Sequence, residues 1–372
     1  MDAQDLLRRR AERAFKSQTP SGVLSRQRRI IGPRASQMAV DAQLARDALV
    51  NGNGTTPTPR QLAALEHVIR MQRPSLNCFP DRPPQPLDEA VPLHAEWEAF
   101  RAVVMALQRS VARLERVEVP DSADPRDRTP VGSGFLVADD LLMTAGHVVD
   151  VLEFSTGRLD RGQAVAEFRA YSGARGFEIR EIIAVVGVDP ELDLALLRLE
   201  PHNESDAARP ILVPQSMSPD IETPVCAIGY PLDGSTDGRG FVLSAFEGNL
   251  GVKRAAIGEV IATSEQSFDH DCSTLAGNSG CPVIEMASGQ VCGVHVGGQA
   301  LTRNRAMSGS VAQDFIQRTL RPRANSTTPI HVVETPVSSI ASVEYGTGNS
   351  IETTIPIHVR IEIDAGVGRV RP

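Results

Sequence analysis

Apolar residues in the first third of the chain recur at helical spacing, and beyond residue 130 they fall into short runs broken by Gly and Pro. Residues 1–16 read as a basic helix, 17–35 as a polar stretch with Gly and Pro, and 36–50 as an Ala-rich helix stopped by Asn51-Gly52-Asn53-Gly54. Thr58-Pro59-Arg60-Gln61 is a capping box with proline at the first helical position. There the Thr and Gln side chains satisfy amides that a helix start leaves bare. Leu62, Leu65 and Ile69 then share one face, and Pro74 ends the helix. Five prolines within 74–86 predict a linker or an extended cover. Trp97, Phe100, Val104, Leu107, Val111 and Leu114 recur at alternating spacings of three and four, which predicts one long helix over 88–118. Its apolar stripe packs within a helical domain or against the β region; the other reading is docking to a partner.

A charged linker from Asp121 to Pro130 precedes a change of pattern. Gly132–Val137, Leu141–Met143, Ile182–Val188, Val225–Ile228 and Val291–Val296 read as strands, and Asp314–Leu320 as a closing helix. The stretch 232–240 is expected to be a mobile loop at a cleft. In 321–372, Pro329-Ile330-His331-Val332 recurs as Pro356-Ile357-His358-Val359, so a β-rich tail is expected, with both histidines as strand residues. The organisation is therefore a helical regulatory or adaptor region (1–120), an all-β domain (121–320) and a β-rich C-terminal tail (321–372).

The chemistry centres on Leu275-Ala276-Gly277-Asn278-Ser279-Gly280-Cys281-Pro282-Val283. A serine hydroxyl needs a neighbouring base to become a nucleophile, and its product oxyanion needs donors. Glycines on both sides of Ser279 allow a sharp turn whose Gly277 and Ser279 amides converge on one point. Thr144-Ala145-Gly146-His147-Val148-Val149 follows two expected strands and offers His147 as the base. Asp193 opens the strand Asp193-Leu194-Ala195-Leu196-Leu197-Arg198-Leu199 and would orient His147; its competitor Asp189 precedes Pro190 and suits a turn better. The order His147, Asp193, Ser279 is that of the chymotrypsin arrangement.

With these motifs the 130–320 segment resembles trypsin-like serine proteases, and within them the bacterial glutamyl endopeptidases. The likeness lies in Gly277-Asn278-Ser279-Gly280 followed by Val291-Cys292-Gly293-Val294-His295-Val296-Gly297-Gly298. It implies a mainly β fold, a double six-stranded antiparallel β-barrel, together with peptide-bond hydrolysis through an acyl-enzyme. It further implies that His295, Thr274, Ser273 and Gly297 line the first specificity pocket and that cleavage follows Glu or Asp. None of these side chains carries a fixed negative charge, so a carboxylate could take hydrogen bonds from Thr274 and from a protonated His295. Arg29-Ile30-Ile31-Gly32 looks like a protease activation site, but Asn278 stands where the activating ion pair needs a carboxylate, so activation by N-terminal insertion is not expected. Restraint must then come from the helices, the 232–240 loop or a partner protein, and a role in a bacterial stress or defence system is one setting. The contrasting expectation is a catalytically silent protease-fold module, or a scaffold that recruits partners through its helices.

Net charge is −8, which does not favour nucleic acid, although the first 36 residues carry nine Arg/Lys against three Asp/Glu. That basic segment reads as a solvated helix. No run approaches the roughly 18 apolar residues of a membrane helix. Five cysteines (78, 226, 272, 281 and 292) without framework spacing point to reduced core thiols in a cytoplasmic protein, with no metal or other cofactor.

Overall fold

Helix α1 (Ala3–Ala14), α2 (Pro20–Ile31), α3 (Arg34–Val50) and α4 (Pro59–Arg70) form an N-terminal bundle. The computed structural model describes residues 3–321 apart from 17–18, 32–33, 53–54, 120–123, 153–161, 175, 202–208, 233–244 and 300–302. The tail repeats with His331 and His358, and the 233–240 part of the expected cleft loop, lie outside the described residues. The capping box forms as expected: Thr58 Oγ1 accepts from Gln61 N at 3.3 Å and Thr58 N donates to Gln61 Oε1 at 2.8 Å. Helix α2 occupies part of the stretch read as polar and irregular. Its start is built from Thr19-Pro20, where Thr19 Oγ1 accepts from Gly22 N at 3.2 Å and Pro20 stands at a position that needs no amide. Leu7, Ala11, Phe15, Leu24, Leu65, Val68 and Ile69 fill the bundle core, and Ala42 and Ala45 let α3 approach closely.

The long helix expected over 88–118 is two elements. Helix α5 (His94–Leu107) buries Trp97, Phe100 and Val104, and the chain then turns into strand β2 (Val111–Val117). Val111 joins the same cluster as Trp97, whereas Leu114 lies in the core of the first barrel. Odd and even positions of a strand point to opposite faces, so the three-four spacing past Leu107 was a coincidence of two elements. The β domain thus begins at 111, ahead of the expected linker. The proline-rich 74–86 segment is a cover. Strand β1 (Ser75–Asn77) pairs with a barrel strand, and Trp97 Nε1 donates to Gln85 O at 3.0 Å while Arg101 donates to Pro84 O at 2.6 Å.

The first barrel closes from β2, β3 (Arg128–Ala138), β4 (Leu141–Ala145), β5 (Ala164–Glu167), β6 (Ile179–Asp189) and β7 (Leu194–Leu199) in the order β2-β3-β4-β7-β6-β5. Helix α6 (Gly146–Leu152) follows β4 directly. The second barrel uses β8 (Pro224–Gly229), β9 (Arg254–Thr263), β10 (Ser267–His270), β11 (Pro282–Glu285), β12 (Val291–Gln299) and β13 (Arg303–Ser308). Its order is β9-β10-β13-β12-β11-β8, closed by β8–β9 pairing, with β1 added on the outside of β9. Helix α7 (Gly309–Leu320) closes the domain, as expected for Asp314–Leu320. All pairings between these strands are antiparallel. The five cysteines are buried and unpaired, three of them (Cys272, Cys281, Cys292) inside the second barrel. No helix among the described residues is long and apolar enough to cross a membrane.

The basic N-terminal helix is solvated on one face only: Arg9 is exposed and Arg8 pairs with Asp5 and Glu12 of the same helix, while the other face meets the barrel. Arg10 is buried, its guanidinium 3.4 Å from Asp271; Arg13 pairs with Glu222 at 2.6 Å and with Glu259. Just past α4, Arg73 reaches Glu259 at 2.6 Å and Asp271 at 3.2 Å. Arg10 and Arg13 of the basic segment thus find their acidic partners in the second-barrel region of the same chain.

Candidate active site

His147 and Asp193 stand at the ends of neighbouring first-barrel strands, β4 and β7, whose register places Ala145 opposite Leu194. The His147 ring meets Asp193 Oδ2 through Nδ1 at 2.8 Å, and the His147 amide donates to Asp193 Oδ1 at 2.8 Å. The Gly146 amide donates to Asp193 O at 2.9 Å. One carboxylate thus grips ring and backbone together, which fixes both the ring's orientation and its tautomer. Asp193 holds a left-handed backbone, φ +52°, a conformation Asp tolerates better than most residues. Gly146 has no room for a side chain: a Cβ there would lie 3.0 Å from Asp193 Oδ1. The hydrogen bond that the His147 ring donates to Asp193 raises the His147 pKa above its ordinary value, against the opposing effect of burial. The competitor Asp189 does turn work, accepting from Leu192 N at 3.2 Å and pairing with Arg318.

Ser279 lies on the turn before β11, in the second barrel, and is carried to the His147 segment by the packing of the two barrels. Its carbonyl accepts from Ser133 N at 2.9 Å, and Ser133 Oγ donates to Gly277 O at 2.6 Å. Ser133 is itself held: Thr144 Oγ1 donates to its carbonyl at 2.7 Å, and Tyr230 N donates to its hydroxyl at 3.1 Å. A Cβ on Gly280, at φ +85°, would lie 2.2 Å from both Ser133 O and Thr144 Oγ1, so only glycine fits this contact. Within the turn, the amides of Asn278, Gly280 and Cys281 bond to Leu275 O, His295 O and Asn278 O at 3.1, 2.7 and 2.9 Å. No backbone bond among the described residues engages the amides of Gly277 or Ser279. These are the two amides that the sequence offers as oxyanion donors. Among the described residues the hydrogen bond of the His147 ring goes to Asp193, and none joins it to the Ser279 hydroxyl. Catalytic bonds of this kind commonly tighten only with substrate in place.

His295, on β12, is 2% exposed, and its Nδ1 lies 3.2 Å from Nε2 of the fully buried His270. Burial, then the nearby charge of His147, pushes the His295 pKa down to about 3. The His295 ring is therefore neutral and can offer one N–H donor, where the sequence left a protonated ring open. Thr274 is half-buried, and the buried Ser273 hydroxyl has no hydrogen-bond partner among the described residues. Gly297 lines a cleft of about 370 Å³ that also contains Asp193, Val296, Arg303 and Arg305.

Sequence reasoning missed Ser133 and His270. Ser133 sits in Gly132-Ser133-Gly134, a stretch read only as a strand. Its small flanking glycines were the available signal, since a Cβ on Gly132 would crowd Ser279 O at 3.3 Å. His270 bears no sequence relation to His295; β13 lies between their strands and brings them together.

With this geometry in view, residues 132–294 match the trypsin-like peptidase domain. The matched stretch falls within the double barrel, from β3 to β12. Over 194 residues the chain is 27% identical to a glutamyl endopeptidase of Staphylococcus epidermidis, covering 51% of this chain and 61% of that protein. It is 28% identical over 174 residues to a glutamyl endopeptidase of Staphylococcus aureus strain MW2, covering 46% and 47%. The chain therefore spans about half to three fifths of the length of these curated relatives. Among solved structures, a serine endoprotease from Yersinia pestis is 20% identical over 60% of this chain and 66% of that one, with a TM-score of 0.41.

Proposed function

We propose that the double barrel is a serine endopeptidase that works through His147, Asp193 and Ser279. The observation that carries this reading is the His147–Asp193 grip, 2.8 Å at both contacts, facing a glycine-framed serine turn with two unengaged amides. Ser279 Oγ attacks the scissile carbonyl and passes its proton to His147 Nε2. Asp193 stabilises the imidazolium so formed, and the Gly277 and Ser279 amides take the oxyanion. His147 then protonates the leaving amine, and water repeats the sequence on the acyl-enzyme.

The chemistry of the pocket favours an acidic side chain before the cut. His295 can donate one N–H and Thr274 a hydroxyl, and neither carries a negative charge. The two curated relatives are named as glutamyl endopeptidases, which supports the same preference. The helical bundle, bound through Arg10, Arg13 and Arg73 to the back of the second barrel, is the regulatory element of this reading.

A fluorophosphonate probe tests the hydrolase reading. It should label the wild-type chain at Ser279 and leave Ser279→Ala unlabelled; an unlabelled wild-type chain would favour the silent interaction module instead. Cleavage of a peptide library then tests specificity, and preference for Arg, Lys or Leu would remove the acidic-pocket idea. The pH profile adds a third check. His147 must be neutral to act as a base, and its hydrogen bond to Asp193 holds the proton more tightly. The acid limb of kcat/KM is therefore expected above the ordinary histidine value of about 6.5, and Asp193→Asn should move it to lower pH.

A further inference from the structure

An oxyanion site works best when its donors already point the right way before substrate arrives. In a planar trans peptide the N–H points away from the C=O, so the direction of an amide is set by whatever holds the carbonyl of the residue before it. The Gly277 amide belongs to the Ala276–Gly277 peptide, whose Ala276 O accepts from Leu232 N at 2.8 Å. The Ser279 amide belongs to the Asn278–Ser279 peptide, whose Asn278 O accepts from Cys281 N at 2.9 Å. Both donor peptides are therefore anchored through their carbonyls, on the side opposite the open N–H groups.

One peptide unit, Gly277–Asn278, joins these two and sets the angle between the donors. It adjoins the softest residue of the turn. Gly277 stands at φ +91°, where a Cβ would lie 2.3 Å from Leu232 Cγ and 2.5 Å from Tyr230 O. Glycine is required there, and glycine restrains the neighbouring peptides less than any other residue. The amide end of this unit is held only within the turn, Asn278 N donating to Leu275 O at 3.1 Å. Its carbonyl end is held from the other barrel: Ser133 Oγ donates to Gly277 O at 2.6 Å. Ser133 is fully buried, and Tyr230 N donates to the same hydroxyl oxygen at 3.1 Å. The one hydroxyl proton is therefore committed to Gly277. The turn 275–281 carries no charged side chain, so no ion pair can hold it instead.

We propose that the Ser133 hydroxyl locks the Gly277–Asn278 peptide, so that the Gly277 and Ser279 amides stand in their working directions before substrate binds. Ser133 is a positioning residue: it acts through Gly277 and does not itself reach the reacting atoms. It belongs to the first barrel and the turn to the second, so the oxyanion site depends on how the two barrels seat against each other. This role rests on the Ser279 reading above and adds to it what preforms the oxyanion site.

The test compares Ser133→Ala with the wild type, both as the full chain, on a fluorogenic peptide. Rates are taken per active site, counted by fluorophosphonate labelling, so that a smaller folded fraction does not register as slower chemistry. Losing one oxyanion donor outright costs about a hundred- to a thousand-fold in kcat, and a misdirected pair should cost about ten- to a hundred-fold with KM little changed. A peptide aldehyde forms an adduct on Ser279 that carries the same oxyanion, and its affinity should fall in proportion to kcat/KM. Ser133→Cys keeps the size but donates weakly, so it should fall between the two, and it is judged by the same outcomes should Ser133→Ala fail to fold. A kcat per labelled site within about three-fold of wild type, a loss carried by KM alone, or an unchanged aldehyde affinity overturns the proposal. A wild-type chain that the fluorophosphonate does not label is a different failure: it sinks the hydrolase reading, and the role of Ser133 with it.

Discussion

Replacing Ser279 by alanine is expected to lower kcat by about six orders of magnitude. In the proposed mechanism the hydroxyl is the atom that bonds to substrate, so no neighbouring group can substitute for it. His147→Ala should cost about as much, and the double variant hardly more, because nucleophile and base act as one unit. Asp193→Asn should cost about four orders of magnitude. The amide it introduces cannot accept both the His147 amide and the ring Nδ1 proton that Asp193 now holds at 2.8 Å each. A fluorogenic peptide assay measures all four. Retention of more than about one per cent of activity by Ser279→Ala would end the nucleophile assignment.

Removing the carboxylate of Asp271 is expected to destabilise the fold by about 3–5 kcal/mol, because it leaves arginine charge buried without its partner. Asp271 is fully buried and is approached by Arg10 at 3.4 Å and Arg73 at 3.2 Å. It also accepts the Glu259 amide at 2.7 Å, so Asp271→Ala orphans a backbone donor as well. Asp271→Asn keeps one acceptor and should cost less. Urea unfolding at neutral pH checks the order. Burial pushes the Asp271 carboxyl upward, but Arg73 and Arg10 outweigh it and hold the group below its ordinary value. The unfolded chain therefore takes up this proton first as pH falls. The associated stability is full above the ordinary carboxylate value of about 3.9 and drains away as pH drops through the lower folded value. Asp271→Ala should lack that part of the acid transition. Equal acid profiles for variant and wild type would show that the network is not a fastening between bundle and barrel.

Local chemistry made several features legible from the order of residues. The Thr58 capping box needs only side chains three positions apart, and it forms with the expected bonds. The glycine-framed Ser279 turn and the strands around His147 and Asp193 were legible for the same reason: turn geometry and strand alternation are short-range properties. The 88–118 stripe shows the limit. Apolar spacing continued past Leu107, but pairing of 111–117 with β3 and β5 decided for a strand, since a strand in a closed barrel satisfies its backbone groups on both edges.

Four things depended on chain segments far apart coming together. Ser133 became a brace only when the second barrel brought Gly277 and Ser279 against it. His270 became a partner of His295 only through the folding of the second barrel. The neutral state of His295 follows from burial, which no residue pattern states. The covered face of the basic N-terminal helix is not visible in the sequence, because the acidic partners of Arg10 and Arg13 lie some 250 positions away. Side-chain type and near-neighbour spacing select the reactive groups; distance, desolvation and charge pairing, which exist only in the folded chain, set their protonation and their partners.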